Sequence, residues 1–181
     1  MLLSYNQICE LIEQGVVQGA KFDDVNAGSL DIHLGTDILY EQDTNNGLCI
    51  IDYRARQKLH MGKHVMDPEQ GYVLGPRESV LASSAETFNL PNNICAEYKL
   101  KSSMARIFLE HLNAGWCDAG WNGSKLTLEL SNLSRFHSIR IRPGDAIGQM
   151  VFFRHEPVPD DRSYAVRGRY NGDTTVSAIK E

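Results

Sequence analysis

The feature that most limits what this chain can become is a series of short runs of alternating apolar and polar residues, each closed off by turn-forming residues. The runs are Ser29-Leu30-Asp31-Ile32-His33-Leu34, Val73-Leu74, Ser79-Val80-Leu81-Ala82, Leu126 to Leu130, Ile139 to Ile141, and Ile147 to Phe153. Between them stand Asn45-Asn46-Gly47, Gly75-Pro76, Leu90-Pro91-Asn92-Asn93 and Arg142-Pro143-Gly144. A period of two sends successive side chains to opposite faces of a strand, and Gly, Pro and Asn supply the backbone angles that reverse the chain. Many short strands with few helical windows predict a mainly β fold, a distorted and mostly antiparallel β-barrel or jelly-roll-like arrangement with small helical insertions.

One helix is legible at the start. Ser4-x-x-Gln7 forms a capping box, Leu3 and Ile8 stand at staple positions, and Ile8, Leu11 and Ile12 form an apolar stripe at helical spacing. At the other end, residues 157–181 are rich in Arg, Gly, Asp, Ser and Thr without periodicity, so they read as a tail that lacks a core of its own and either dangles or closes over something. The 181 residues, 42% hydrophobic and 23% charged, suffice for one substantial core, which predicts a single domain over 1–181. No internal repeat and no low-complexity segment is present.

Composition excludes several function classes. Eighteen consecutive apolar residues occur nowhere, and the first fifteen residues lack the basic region and small-residue cleavage site of a secretory signal, so a cytoplasmic protein without a membrane partner is expected. The four cysteines, Cys9, Cys49, Cys95 and Cys117, form no CxxC pair and fit reduced thiols better than a disulfide framework or a zinc site. A net charge of −5 and a pI near 5.7 argue against a nucleic-acid partner, so an anionic ligand has to be met by a local basic cluster.

Such a cluster lies at Lys99-Leu100-Lys101-Ser102-Ser103-Met104-Ala105-Arg106. Ser102 or Ser103 can cap a short helix, and Arg106 then falls on the same face as Ser102, which makes either a phosphate cradle or an ordinary capped helix with a solvated basic face. A second candidate is Asn113 to Leu130. Leu126, Leu128 and Leu130 face one way, and Thr127, Glu129 and Ser131 face the other. Glu129 is therefore a solvated strand residue or, if its face lines a closed pocket, a carboxyl able to move protons. Asp118, between Ala114-Gly115 and Ala119-Gly120 and near Trp116 and Trp121, is either a turn residue bonded to its own backbone or a functional group. His60 and His64 have HxxxH spacing, but Met61-Gly62 interrupts it and no third ligand is near, so no metal is assigned. The HxE…PCxxC signature of zinc deaminases is absent, so any deamination here has to activate its water without zinc.

In order and approximate spacing, Lys101 to Arg106, Ala114-Gly115-Trp116-Cys117-Asp118-Ala119-Gly120-Trp121-Asn122-Gly123, Leu126-Thr127-Leu128-Glu129-Leu130, Arg142-Pro143-Gly144 and Ile147-Gly148-Gln149 resemble the dCTP deaminases of the trimeric dUTPase-like superfamily. Gly28 to Gly35 is similar to that family's N-terminal strand motif. The resemblance implies a dUTPase-type fold and a homotrimer with active sites between subunits. It also implies Mg2+ carried on the nucleotide phosphates and no zinc. Glu129 aligns with the family's catalytic glutamate, which takes a proton from the attacking water and delivers it to the pyrimidine nitrogen and then to the leaving ammonia. Ser102 and Arg106 match the pair that organises that water and the glutamate, and Ala114 matches the carbonyl that helps hold the water. Asp118 matches an aspartate near the sugar, which in dUTPase-type members also helps hydrolyse the triphosphate. Lys101 and Ser103 belong to the phosphate side, and Gln149 to the substrate-binding set. Arg169-Tyr170-Asn171-Gly172-Asp173 is similar to the tail motif that closes over the nucleotide, with Tyr170 the clearest match.

The chain departs from the pattern at four places. The spacing from Arg106 to Ala114 is one residue shorter than the family's, and that from Gly123 to Glu129 is one longer. Arg169 stands for a Lys and Asp173 for a Gln, and a carboxylate beside a triphosphate is electrostatically unfavourable. The main expectation is hydrolytic deamination of a deoxycytidine nucleotide, dCTP to dUTP and ammonia. Alternatives are a bifunctional deaminase and diphosphatase giving dUMP, a pure diphosphatase, and, in another class, a non-catalytic trimer that binds a nucleotide and regulates through its tail.

Overall fold

A computed structural model describes residues 1–43, 50–55 and 59–180. Cys49 and the Asn45-Asn46-Gly47 turn lie outside the described residues. The chain opens with helix α1 (Tyr5–Glu13) and continues through strands β1 (Val17–Gln18), β2 (Leu30–Glu41), β3 (Met61–Val65), β4 (Tyr72–Leu74), β5 (Ser79–Phe88) and β6 (Ile94–Leu100). A four-residue helix α2 (Ser102–Ala105) follows, then β7 (Leu109–His111), β8 (Trp116–Cys117), β9 (Ser124–Asn132), β10 (Ile139–Ile141), β11 (Ala146–Arg154) and a one-turn helix α3 (Tyr164–Arg167).

The fold is mostly β, as the alternating runs predict. Antiparallel pairing gives the order β7-β9-β5-β2-β11-β6-β8, with β1 on β5 and β3 on β2, while β10 and β4 form a separate pair. β2 bends at a register shift between Leu34 and Ile38, which lets it pair with β11 at one end and with β5 and β3 at the other, so the sheet curls into a distorted half-barrel. Leu30, Ile32, Leu34 and Ile38 of β2, Leu128 and Leu130 of β9, and Met150 and Phe152 of β11 are wholly buried inside that curl. α1 closes one side with Ile8 and Leu11, both buried beside Leu3, and Gln7 Oε1 accepts the Ser4 backbone N–H at 3.0 Å as the capping box requires.

One polar tie stands out in this core. The Glu86 side chain is 1% exposed, accepts the His33 backbone N–H at 3.1 Å and lies 2.7 Å from His33 Nδ1, while His33 Nε2 lies 3.7 Å from Asp24. It fastens the turn at Phe22–Asp24 to β2 and β5. The HxxxH pair has no chelating geometry, because His64 is on β3 and His60 just before it, and four residues of extended chain span roughly 13 Å. Among the described residues no helix is long and apolar enough to cross a membrane.

Candidate active site

β9 carries the key carboxylate to its place. Its register against β5 sets Glu129 opposite Leu81 and Thr127 opposite Ser83, so the polar face of β9 and the Leu81 side of β5 share one wall. That wall lines a cavity of about 480 Å³, with Ala114, Trp116, Cys117, Asp118 and Trp121 beside it and Lys125, Tyr164, Tyr170, Asp173 and Ser177 to Ile179 completing it. Glu129, Ala114, Asp118 and Tyr170 thus come together from separate elements. Glu129 is 26% exposed at its side chain. It is neither the freely solvated strand residue nor a core group.

Asp118 is both a turn residue and a cavity residue. Its carbonyl accepts the Trp121 N–H at 3.2 Å, and its Oδ1 accepts the Trp116 indole N–H at 2.9 Å, which fixes the carboxylate beside an exposed indole. The following turn needs a glycine. Gly120 has φ +87°, and a Cβ there would meet Ser163 Oγ at 2.0 Å. Burial pushes the Cys117 thiol well above its ordinary range, with the Asp118 charge adding to the shift, so Cys117 lines the cavity as an apolar, unreactive group. Burial also raises the Tyr164 phenol, against the opposing effect of a hydrogen bond with Tyr170 and with the Asp118 charge adding to the rise.

The tail docks on this site through its backbone. The Tyr170 carbonyl accepts from Trp121 Nε1 and from Ser124 Oγ, each at 2.9 Å. The Lys125 N–H donates to the Asp173 carbonyl at 2.7 Å, and Gly172 N–H to that of Asn122 at 3.2 Å. Asp173 brings no unbalanced charge to the cavity. Its carboxylate pairs with Lys180 and accepts from Ser177 Oγ at 2.8 Å, while the Lys180 ammonium sits 5.3 Å from the Tyr170 ring centroid. The electrostatic objection to Asp173 is answered by a cation seven residues on.

The other residues singled out in the sequence lie elsewhere. Lys101, Ser102, Ser103, Arg106, Gln149 and Arg169 do not line the cavity. Ser102, Ser103 and Arg106 are exposed, Arg106 Nε donates to Ser102 Oγ at 3.4 Å across one turn, and Lys101 is paired with Asp31. Neither serine caps α2. The N-cap is Lys101, in extended conformation and without a side-chain cap bond, because β6 runs straight into the helix and leaves Ser102 as its first helical residue. Gln149 stands on β11 opposite Lys99 and accepts from Ser29 Oγ at 3.4 Å, so it belongs with this basic group. Arg169 is exposed, and its carbonyl accepts from Lys180 at 3.2 Å. Among the described residues no group of three or more His, Cys, Asp or Glu side chains is arranged to hold a metal ion. The carboxylates on the cavity that could meet a hydrated, phosphate-borne cation are those of Asp118, Glu129 and Asp173.

Sequence reasoning missed His111, Lys125, Tyr164 and Lys180. His111 is 4% exposed, with its Nε2 3.1 Å from Glu129 Oε2 and its ring 4.7 Å from that of Tyr98. Tyr98 is raised by its burial and by the Glu129 and Glu86 charges.

The family model described as dCTP deaminase-like matches residues 2–155. A protein of Beutenbergia cavernae named "dCTP deaminase, dUMP-forming" is 38% identical over 99% of this chain and 94% of its own length. One of Persephonella marina with the same name is 34% identical over 99% of this chain and 97% of its own. Among solved structures, the 2'-deoxycytidine 5'-triphosphate deaminase from Agrobacterium tumefaciens superposes with a TM-score of 0.64 at 25% identity, covering 85% of this chain and 48% of that one.

Proposed function

The chain belongs to the dCTP deaminase-like family, and from that premise we propose that it converts dCTP to dUMP, ammonia and pyrophosphate, performing deamination and triphosphate cleavage at one site. The observation that carries this reading is that Glu129 and Asp118 line one cavity. The names of the curated relatives support the dUMP-forming course over release of dUTP.

In the first half-reaction Glu129 takes a proton from a water that attacks C4 of the cytosine ring. It passes that proton to N3, and a second proton transfer lets the exocyclic nitrogen leave as ammonia, giving the uracil ring. The position of Glu129 suits this, since its partly exposed side chain opens onto the cavity where substrate and water would meet it. In the second half-reaction a water activated by Asp118 attacks the α-phosphorus, and the bond to the bridging oxygen of the β-phosphate breaks to release pyrophosphate. Lys125 adds a cation from the protein, and magnesium bound through the phosphates would neutralise their charge further.

Lys101, Ser102, Ser103, Arg106 and Gln149 form a second group, exposed at Ser102, Ser103 and Arg106, that misses the cavity of its own chain. This separation supports a homotrimer in which one subunit offers that group to the cavity of the next, so that Ser102 and Arg106 order the attacking water with the Ala114 carbonyl. The docking of Tyr170 and Asp173 supports a tail that covers the bound nucleotide. Incubation of dCTP and dUTP separately with magnesium, with chromatographic separation of products, tests the proposal. dUMP with ammonia and pyrophosphate is expected from dCTP, and dUMP with pyrophosphate from dUTP. Accumulation of dUTP from dCTP overturns the second half-reaction, and absence of ammonia overturns the first.

A further inference from the structure

Behind the cavity wall, the catalytic carboxylate meets two buried polar side chains that the two half-reactions leave unused, Tyr98 and His111. Tyr98 Oη, His111 Nε2 and Glu129 Oε2 are all buried, and none makes a hydrogen bond. Buried donors and acceptors in a folded protein are nearly always paired, so a group of them facing a reactive carboxyl calls for a physical reason. Two of these atoms already stand 3.1 Å apart, within hydrogen-bonding distance, and only their alignment is missing.

The backbone beneath them is fixed. His111 pairs with Leu130 across β7 and β9, the Leu112 N–H donates to the Glu129 carbonyl at 3.0 Å, and the Asn113 N–H donates to the His111 carbonyl at 2.6 Å. The imidazole is fixed as well. The Tyr98 ring packs against it, and Tyr98 in turn covers Gly148 so closely that a Cβ there would meet the ring at 2.1 Å. A small rotation of the carboxylate is therefore the remaining freedom, and it converts the contact into a hydrogen bond.

We infer that His111 is a positioning residue for Glu129, its Nε2–H holding the buried oxygen of the carboxylate so that the other oxygen is presented to the water and the ring nitrogen. The inference rests on Glu129 being the proton carrier of the first half-reaction. His111 keeps its proton throughout, and the transferred protons pass only between water, Glu129 and the substrate. Tyr98 acts one layer further back, by holding the imidazole plane.

The test uses the full chain with His111→Leu and His111→Gln, measuring ammonia release from dCTP and pyrophosphate release from dUTP, each with kcat and KM, alongside thermal unfolding. For His111→Leu, kcat for ammonia release falls about 10- to 100-fold with KM for dCTP nearly unchanged, the range expected for losing one hydrogen bond to a charged group. Pyrophosphate release from dUTP holds within about twofold, since that step does not use Glu129. His111→Gln, whose amide can donate from a similar place, recovers most of the lost kcat. A general structural defect lowers both activities together, and that outcome overturns the inference, as does a His111→Leu enzyme with unchanged ammonia release. If the wild-type chain itself releases no ammonia, the functional reading fails before His111 enters. If the wild type releases ammonia but no pyrophosphate, dCTP affinity replaces the dUTP step as the control, and affinity that falls in parallel with kcat overturns the inference.

Discussion

Glu129 and Asp118 stand on one cavity but on different elements, a strand and a turn, so each can be disabled without the other. Glu129→Gln keeps the size of the side chain and removes its proton-accepting oxygen. Ammonia release from dCTP is expected to fall by about a thousandfold, within the range for a general acid–base group, while pyrophosphate release from dUTP continues. Asp118→Asn should do the opposite, so that dCTP yields ammonia and accumulating dUTP. A coupled ammonia assay and ion-exchange separation of the nucleotides measure both, and parallel loss of both products in both variants refutes the division of labour. Glu129 was visible in the sequence because Leu126, Leu128 and Leu130 fix the phase of their strand, and a period of two leaves no choice about the opposite face. His111 was not visible. Leu109-Glu110-His111-Leu112 is too short to carry a phase, and what gives His111 meaning is the pairing of β7 with β9, a long-range contact that no local pattern encodes.

At the scale of elements, the start of β9 is where the tail docks. β9 begins at Ser124, and its first residues receive the tail backbone through Ser124 Oγ and the Lys125 N–H. Residues 157–181 show no periodicity because that segment docks by backbone hydrogen bonds and a few side chains, with Val176 and Ser163 the buried ones among its described residues. Asp173 alone looked like a fault, but Lys180 corrects it. Lys180→Ala leaves a carboxylate, 14% exposed, facing the phosphates, and KM for dCTP is expected to rise about 5- to 10-fold, on the order of 1 kcal/mol, with kcat little changed. Adding Asp173→Asn to that variant should restore most of the affinity, since the two residues act as one pair. The loss in Lys180→Ala should also shrink as ionic strength rises. Steady-state kinetics over a salt series measures it, and an Asp173→Asn addition that restores nothing argues that Lys180 works only by anchoring the tail.

At the scale of the molecule, the side chains matched to the family's site stand in two separate places on one chain. The cavity holds Glu129, Asp118 and Ala114, and the exposed α2 corner holds Ser102, Ser103 and Arg106. Both sets could be picked out of the sequence, because the corner is a run of basic and hydroxyl residues and the cavity residues lie on a turn and a strand. Their separation was not legible, since spacing along the chain says nothing about which copy a side chain serves. Around β7, at one edge of the sheet, Ile107, Phe108, Leu112, Leu133 and Phe136 leave apolar surface exposed, which a closed homo-oligomer would cover. The proposed homotrimer with shared sites makes a sharp prediction for mixtures. Ser102→Ala and Glu129→Gln homotrimers are each expected to be nearly inactive in ammonia release. When the two variants are denatured and refolded together in equal amounts, each site draws its glutamate from one subunit and its serine from the neighbour. Random assembly then gives both intact groups to about a quarter of the sites, and activity should return to about a quarter of the wild-type level. If each chain instead built its whole site alone, mixing would restore nothing, and the ammonia assay on the co-refolded sample separates the two arrangements.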